Sequence, residues 1–102
     1  MKYQLVLQWP SSLMKDLDQV IEVEAFLETI VADEGDVDGH DIGSGEVNIF
    51  VHTDTPESLF AQLAPALASL NRLSGARVAY RDLSGDKYKV LWPKSLVTFS
   101  IT

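Results

Sequence analysis

The chain contains no cysteine, so disulfides, thiolate nucleophiles and zinc–cysteine sites are all unavailable to it. Basic residues are scarce: eight Lys and Arg stand against fifteen Asp and Glu, for a formal net charge of -7. A surface of that sign repels phosphate backbones and anionic lipid, which argues against nucleic acid and membrane as partners. No apolar run approaches the roughly 20 residues needed to span a bilayer. The opening Met1-Lys2-Tyr3-Gln4-Leu5-Val6-Leu7 lacks the long apolar core of a secretion signal, so the expected compartment is the cytoplasm. Glycine is sparse but concentrated, with four of the six at positions 35, 39, 43 and 45.

What is present suits one globular domain spanning residues 1–102, since 46% of the residues are hydrophobic and 23% charged. Residues 2–9 alternate as a strand, with Tyr3, Leu5, Leu7 and Trp9 on one face and Lys2, Gln4, Val6 and Gln8 on the other. From 16 to 33 the period becomes helical. Leu17, Val20, Ile21, Leu27 and Val31 form a stripe widened by Val23, Phe26 and Ile30, and Gly35 stands where the helix should stop. A second helix is predicted over 56–70. Pro56 sits in its first turn and Leu59, Phe60, Leu63, Leu67 and Leu70 follow at helical spacing. Pro65 should kink or split it near Ala64. Strands follow at 76–82 and 88–92, and residues 96–101 form a last strand or lie against a neighbour.

Between the helices, Val47, Ile49 and Val51 alternate with Asn48, Phe50 and His52. Before them, residues 36–42 run extended, placing Asp36, Asp38, His40 and Ile42 on one face and Val37, Gly39 and Asp41 on the other. Gly43-Ser44-Gly45 supplies the positive φ angles of a tight hairpin. The order strand, helix, strand, strand, helix, strand is that of an α+β, ferredoxin-like two-layer sandwich, βαββαβ with additional C-terminal strands. Its helices cover one face of an antiparallel sheet. The second face then carries Val6 and Phe50 in the open, and a homodimer is the expected way to bury them.

The hairpin segment Gly35-Asp36-Val37-Asp38-Gly39-His40-Asp41 with Gly43-Ser44-Gly45-Glu46-Val47-Asn48-Ile49-Phe50 resembles a signature of a family of small uncharacterised bacterial proteins. The opening Tyr3-Gln4-Leu5-Val6-Leu7-Gln8-Trp9-Pro10 and the segment Arg77-Val78-Ala79-Tyr80-Arg81-Asp82 carry the same likeness. The resemblance implies no established activity, and no residue role comes with it.

Three chemistries compete for these residues. Asp36, Asp38 and His40, with Glu46 or His52 across the hairpin, have the donor types of a divalent metal site, against the simpler reading of a polar hairpin. His40 beside Asp38, Asp41 or Glu46 suits acid–base catalysis, yet no serine elbow, cysteine or phosphate-cradling loop accompanies it. No cofactor and no catalytic residue is therefore expected. Arg77, Arg81, Lys87 and Lys89 form the one basic cluster, brought together if two neighbouring strands share a face; pairing with acids such as Asp82 and Asp86 is the simpler reading. The best-supported expectation is a small cytosolic protein-interaction module, an inhibitor or immunity-type protein that masks a basic partner. The alternative is a small enzyme or metal-dependent binding protein centred on Asp38, His40 and Glu46.

Overall fold

A computed structural model describes residues 1–101. Five strands and two helices follow in the order β1 (Tyr3–Pro10), α1 (Leu17–Val31), β2 (Gly35–Gly43), β3 (Glu46–Thr53), α2 (Pro56–Ser69), β4 (Arg77–Asp82) and β5 (Lys89–Trp92). They form one antiparallel sheet in the order β2-β3-β1-β4-β5. Both helices pack on the same face of it. There Leu5, Leu7 and Trp9 of β1, Val47, Ile49 and Val51 of β3 and Val78 of β4 meet Val20, Val23, Leu27 and Val31 of α1 and Leu59, Leu63 and Leu67 of α2. The expected two-layer α+β arrangement is thus present.

The helix ends are set by side chains. Asp16 Oδ1 accepts from the Gln19 backbone N–H at 2.9 Å, while Gln19 Oε1 accepts from the Lys15 N–H at 2.9 Å, a reciprocal cap of the Asp-x-x-Gln type. α1 ends at Val31 and the chain reverses through Ala32 at φ 43°, so Gly35 is not the stop. Gly35 instead begins β2, and a Cβ there would run into the carbonyl oxygen of His52. α2 is continuous through Pro65, contrary to the expected split. Pro65 and Ala61 both lie on the exposed side, where water can satisfy the carbonyl that the proline leaves unpaired. α2 closes with Asn71 at φ 58°, Arg72 N–H donating to Leu67 O and Asn71 N–H to Ala68 O, the two bonds of a Schellman cap.

Two further features depart from simple alternation. The hairpin turn is Ser44-Gly45, with φ 53° and 81°, positive at both positions as a type I′ turn requires, and Gly43 stays in the strand. More consequential, the β2–β3 register shifts between Val37 and Gly39, leaving Asp38 as an extra residue. Val37 pairs with Val51 before this bulge, but His40 pairs with Ile49 and Ile42 with Val47 after it. His40 and Ile42 therefore face the helices, and the expected row of Asp36, Asp38 and His40 on one face does not form.

The second sheet face is covered by the chain itself. Val6 and Ala79, at its centre, are fully buried, and Gln8 and Asn48 are 3% and 1% exposed. The C-terminal segment after β5 is held there without becoming a strand. The Gln8 side-chain amide donates to Ser100 O at 3.1 Å, and the Phe99 and Tyr88 rings lie 5.0 Å apart. The open apolar surface inferred from Val6 and Phe50 is accordingly absent.

The glycines of β2 give a clean comparison. Gly35→Ala should lower stability by about 1–3 kcal/mol, the usual range for forcing an atom into packed structure. Gly43 has open space around its Cβ position and no positive φ. Gly43→Ala should therefore be neutral or stabilising by up to about 1 kcal/mol. Paired urea titrations check both, and equal losses would show that the carbonyl contact at Gly35 is not what matters.

Candidate functional site

The residues singled out around the hairpin fall into three separate environments. His40, turned to the helix side by the bulge, has its Nδ1 2.7 Å from Glu24 Oε1 on α1. His52 and Asp38 lie on the opposite side, 3.8 Å apart between Nε2 and Oδ2. Asp36 is exposed and pairs in register with His52. Glu46 is at the far end of the hairpin, where its Oε2 accepts from the Gln8 amide at 3.2 Å. Among the described residues, no group of three or more His, Asp or Glu side chains is placed to hold one metal ion. The bulge is the physical reason, because one inserted residue reverses the face of everything that follows it. Asp38, His40 and Glu46 are likewise not assembled into one catalytic centre.

The second face holds a polar cluster that alternation alone does not reveal. Gln8 Nε2 lies 3.0 Å from Asn48 Oδ1, 3.1 Å from Ser100 O and 3.2 Å from Glu46 Oε2. Two amide hydrogens are shared among three acceptors, so the cluster locks strand and tail together rather than offering spare donors. Beside it, Gln8, Pro10, Ser44, Gly45, Glu46, Gly75 and Arg77 line a shallow cavity of about 280 Å³. That is just below the roughly 300–1,000 Å³ typical of ligand pockets. The two tryptophans also act structurally: Trp9 Nε1 donates to Arg72 O at 2.7 Å and Trp92 Nε1 to Leu73 O at 3.2 Å, fixing the loop after α2 from two strands.

The basic cluster is divided. Arg81 Nε donates to Gln4 Oε1 at 3.1 Å and its Nη1 to Gly85 O at 3.0 Å on the second face. Lys89 lies on the helix side, 3.5 Å from Glu57 Oε1 and 6.0 Å from the centroid of Tyr80. Neither uses Asp82 or Asp86 side chains as the partner expected from the sequence; the Asp82 carboxylate instead accepts from the Ser84 hydroxyl and N–H. Tyr80 donates to Glu57 at 2.8 Å and sets its ring edge-on to Tyr3. The Tyr80 hydroxyl and the nearby Lys89 ammonium hold the Glu57 carboxyl below its ordinary range. Partial burial, then the hydrogen bond to Glu57 and its charge, push the Tyr80 phenol up.

A larger asymmetry organises the surface. Thirteen of the fifteen acids lie between residues 16 and 71, and all eight Lys and Arg lie outside that interval. α1, β2, β3 and α2 therefore carry no basic residue, while the β1, β4 and β5 strands and the segments around them carry all of them. β2 lies at one side of the sheet and β5 at the other, so the acids Asp36, Asp38 and Asp41 and the base Lys89 stand on opposite borders of the sheet. No family model matches the chain, and no curated protein or solved structure matches it either.

The Glu57–Tyr80 contact has a defined pH signature. Because the folded chain holds Glu57 below its ordinary pKa, the contact stabilises above the unfolded carboxyl pKa and is lost as pH falls through the folded one. Tyr80→Phe should move the Glu57 carboxyl titration upward, as followed by carbon-13 NMR. The stability gap between wild type and variant should shrink on acidification. A Glu57 titration unchanged in the variant would assign the depression to Lys89 instead.

Proposed function

We propose that this chain is a small cytosolic interaction module that binds a protein partner presenting a basic surface, in the manner of an inhibitor or immunity-type protein. The observation that carries this reading is the segregation of charge: an unbroken acidic stretch from 16 to 71 folds into α1, the β2–β3 hairpin and α2. A field of one sign steers an oppositely charged partner and raises its association rate. The same sign disfavours nucleic acid and anionic membrane. No helix among the described residues is long and apolar enough to cross a membrane.

The strand order β2-β3-β1-β4, with a helix in each crossover, supports a ferredoxin-like reading in which β5 is the added strand. Homodimerisation through the second face does not enter this reading, since Val6 is buried within the chain. The enzyme or metal-binding alternative has less behind it, since Asp38, His40 and Glu46 occupy different environments. The likeness of the hairpin to small bacterial proteins brings no activity.

Immobilised wild-type chain should retain a basic protein from extract of its own cells, while the triple reversal Glu22→Lys, Glu28→Lys and Asp36→Lys should not. All three residues are exposed, so the fold should tolerate the change. With the purified partner, the association rate should fall by about tenfold or more between low and high salt, as steering requires. A partner retained equally by the reversed variant, with a salt-independent rate, would overturn the reading.

A further inference from the structure

β2 borders the sheet, so alternate backbone N–H and C=O groups along it point away from β3 with no strand beside them. Its side chains make that edge selective. Asp36, Asp38 and Asp41 stand along it, so a second copy of β2 would set carboxylates against carboxylates. Beyond the bulge, residues 39–43 pair with β3 without further interruption, leaving a short regular edge.

That edge is framed on the helix side by exposed apolar side chains. Ile42 is 49% exposed, and Leu17 and Ile21 are 50% and 49% exposed, although the sequence pattern places both in the apolar stripe of α1. Leu17, Ile21, Glu24 and Glu28 recur at the spacing of one helix flank. The contact between His40 and Glu24 shows that this flank borders β2. β1 and β2 both run antiparallel to β3, so the crossover helix runs back along β2. Ile42, two residues past His40, is displaced by about 6.6 Å toward the start of α1. That is about one helical turn back from Glu24, the level of Ile21.

Resting on the reading of the acidic side as the binding side, we propose that β2 accepts an extended segment of the partner protein as a sixth strand. The segment alternates apolar with Lys or Arg residues. Its main chain pairs with the outward groups of residues 39–43, the mode of β-strand addition. Its apolar side chains cover Ile42, Ile21 and Leu17, and its basic side chains meet Asp36, Asp38 and Asp41 on the other face. Charge complementarity selects this occupant over a second copy.

The test uses the whole chain, labelled with nitrogen-15, and two synthetic heptapeptides of equal charge, Lys-Val-Lys-Val-Lys-Val-Lys and the same sequence with proline at each valine. The valine peptide should bind, slow amide exchange across 39–43 by about tenfold or more at saturation, and bind about tenfold more tightly than the proline peptide, which cannot donate at alternate positions. Ile42→Lys should weaken the valine peptide by about tenfold while leaving the melting temperature of the free chain unchanged, because Ile42 is half exposed. Equal binding of both peptides, with shifts on α1 and none at 39–43, would overturn strand addition and leave the basic-partner reading standing. Absence of binding by either peptide at millimolar concentration would overturn both. Protection of 39–43 that rises with protein concentration in the absence of peptide would identify a second copy as the occupant and overturn the proposal.

Discussion

β1 is buried on both of its faces, and the rest of the chain is arranged to meet that demand. Leu5, Val6, Leu7, Gln8 and Trp9 are each 3% exposed or less. The odd-numbered members face the helices, where aliphatic side chains cover them. The even-numbered members face the other way and include an amide, so their cover must supply both apolar area and hydrogen-bond acceptors. Asn48 and the backbone of Ser100 supply acceptors, so the C-terminal segment is tied to the face on which Val6 and Ala79 are fully buried. A central strand of this kind cannot be left half wet, because burying Gln8 without partners would cost about 1–3 kcal/mol.

The strands, helices and their order were legible in the sequence because the longer elements β1, α1, β3 and α2 carry eight or more residues of periodicity, which averages out single exceptions, and turn residues bracket the shorter β4 and β5. The site was less legible, because it turns on one such exception. A bulge has no fixed residue signature beyond a glycine that tolerates its backbone, and Gly39 at φ 145° is that glycine. Alternation counted straight through Asp38 gives the wrong face to His40 and Ile42. Pro65 misled in the opposite direction: the local rule predicts a break, but the unpaired carbonyl is on the wet side of α2. The tail was unreadable for a different reason, since a segment without regular structure carries no periodicity to place it. Two further signals stand in the sequence itself. Asp16-Leu17-Asp18-Gln19 has the spacing of a reciprocal cap, and the interval without a basic residue is visible by counting.

Charge and apolarity are distributed differently over this molecule. The core takes residues from β1, β3, β4 and both helices, from Leu5 through to Val78. The charges are segregated along the chain: thirteen of the fifteen acids lie between residues 16 and 71 and every Lys and Arg lies outside that interval. Packing therefore places no demand on that segregation, and exposed acids such as Asp18, Glu22 and Glu28 make no ion pair among the described residues.

The indole contacts make the loop after α2 optically visible. Trp9 is sealed in the core at the end of β1, while Trp92 ends β5 and is partly exposed, yet their Nε1 groups grip adjacent carbonyls at Arg72 and Leu73. The intrinsic fluorescence of this protein consequently has one emitter in an apolar setting and one nearer water, joined through a single short segment of backbone. Movement of that segment perturbs both emitters together, because each indole N–H is bonded to it. The chain thus carries two built-in reporters, one on the central strand and one on a border strand, that answer to the same turn of backbone.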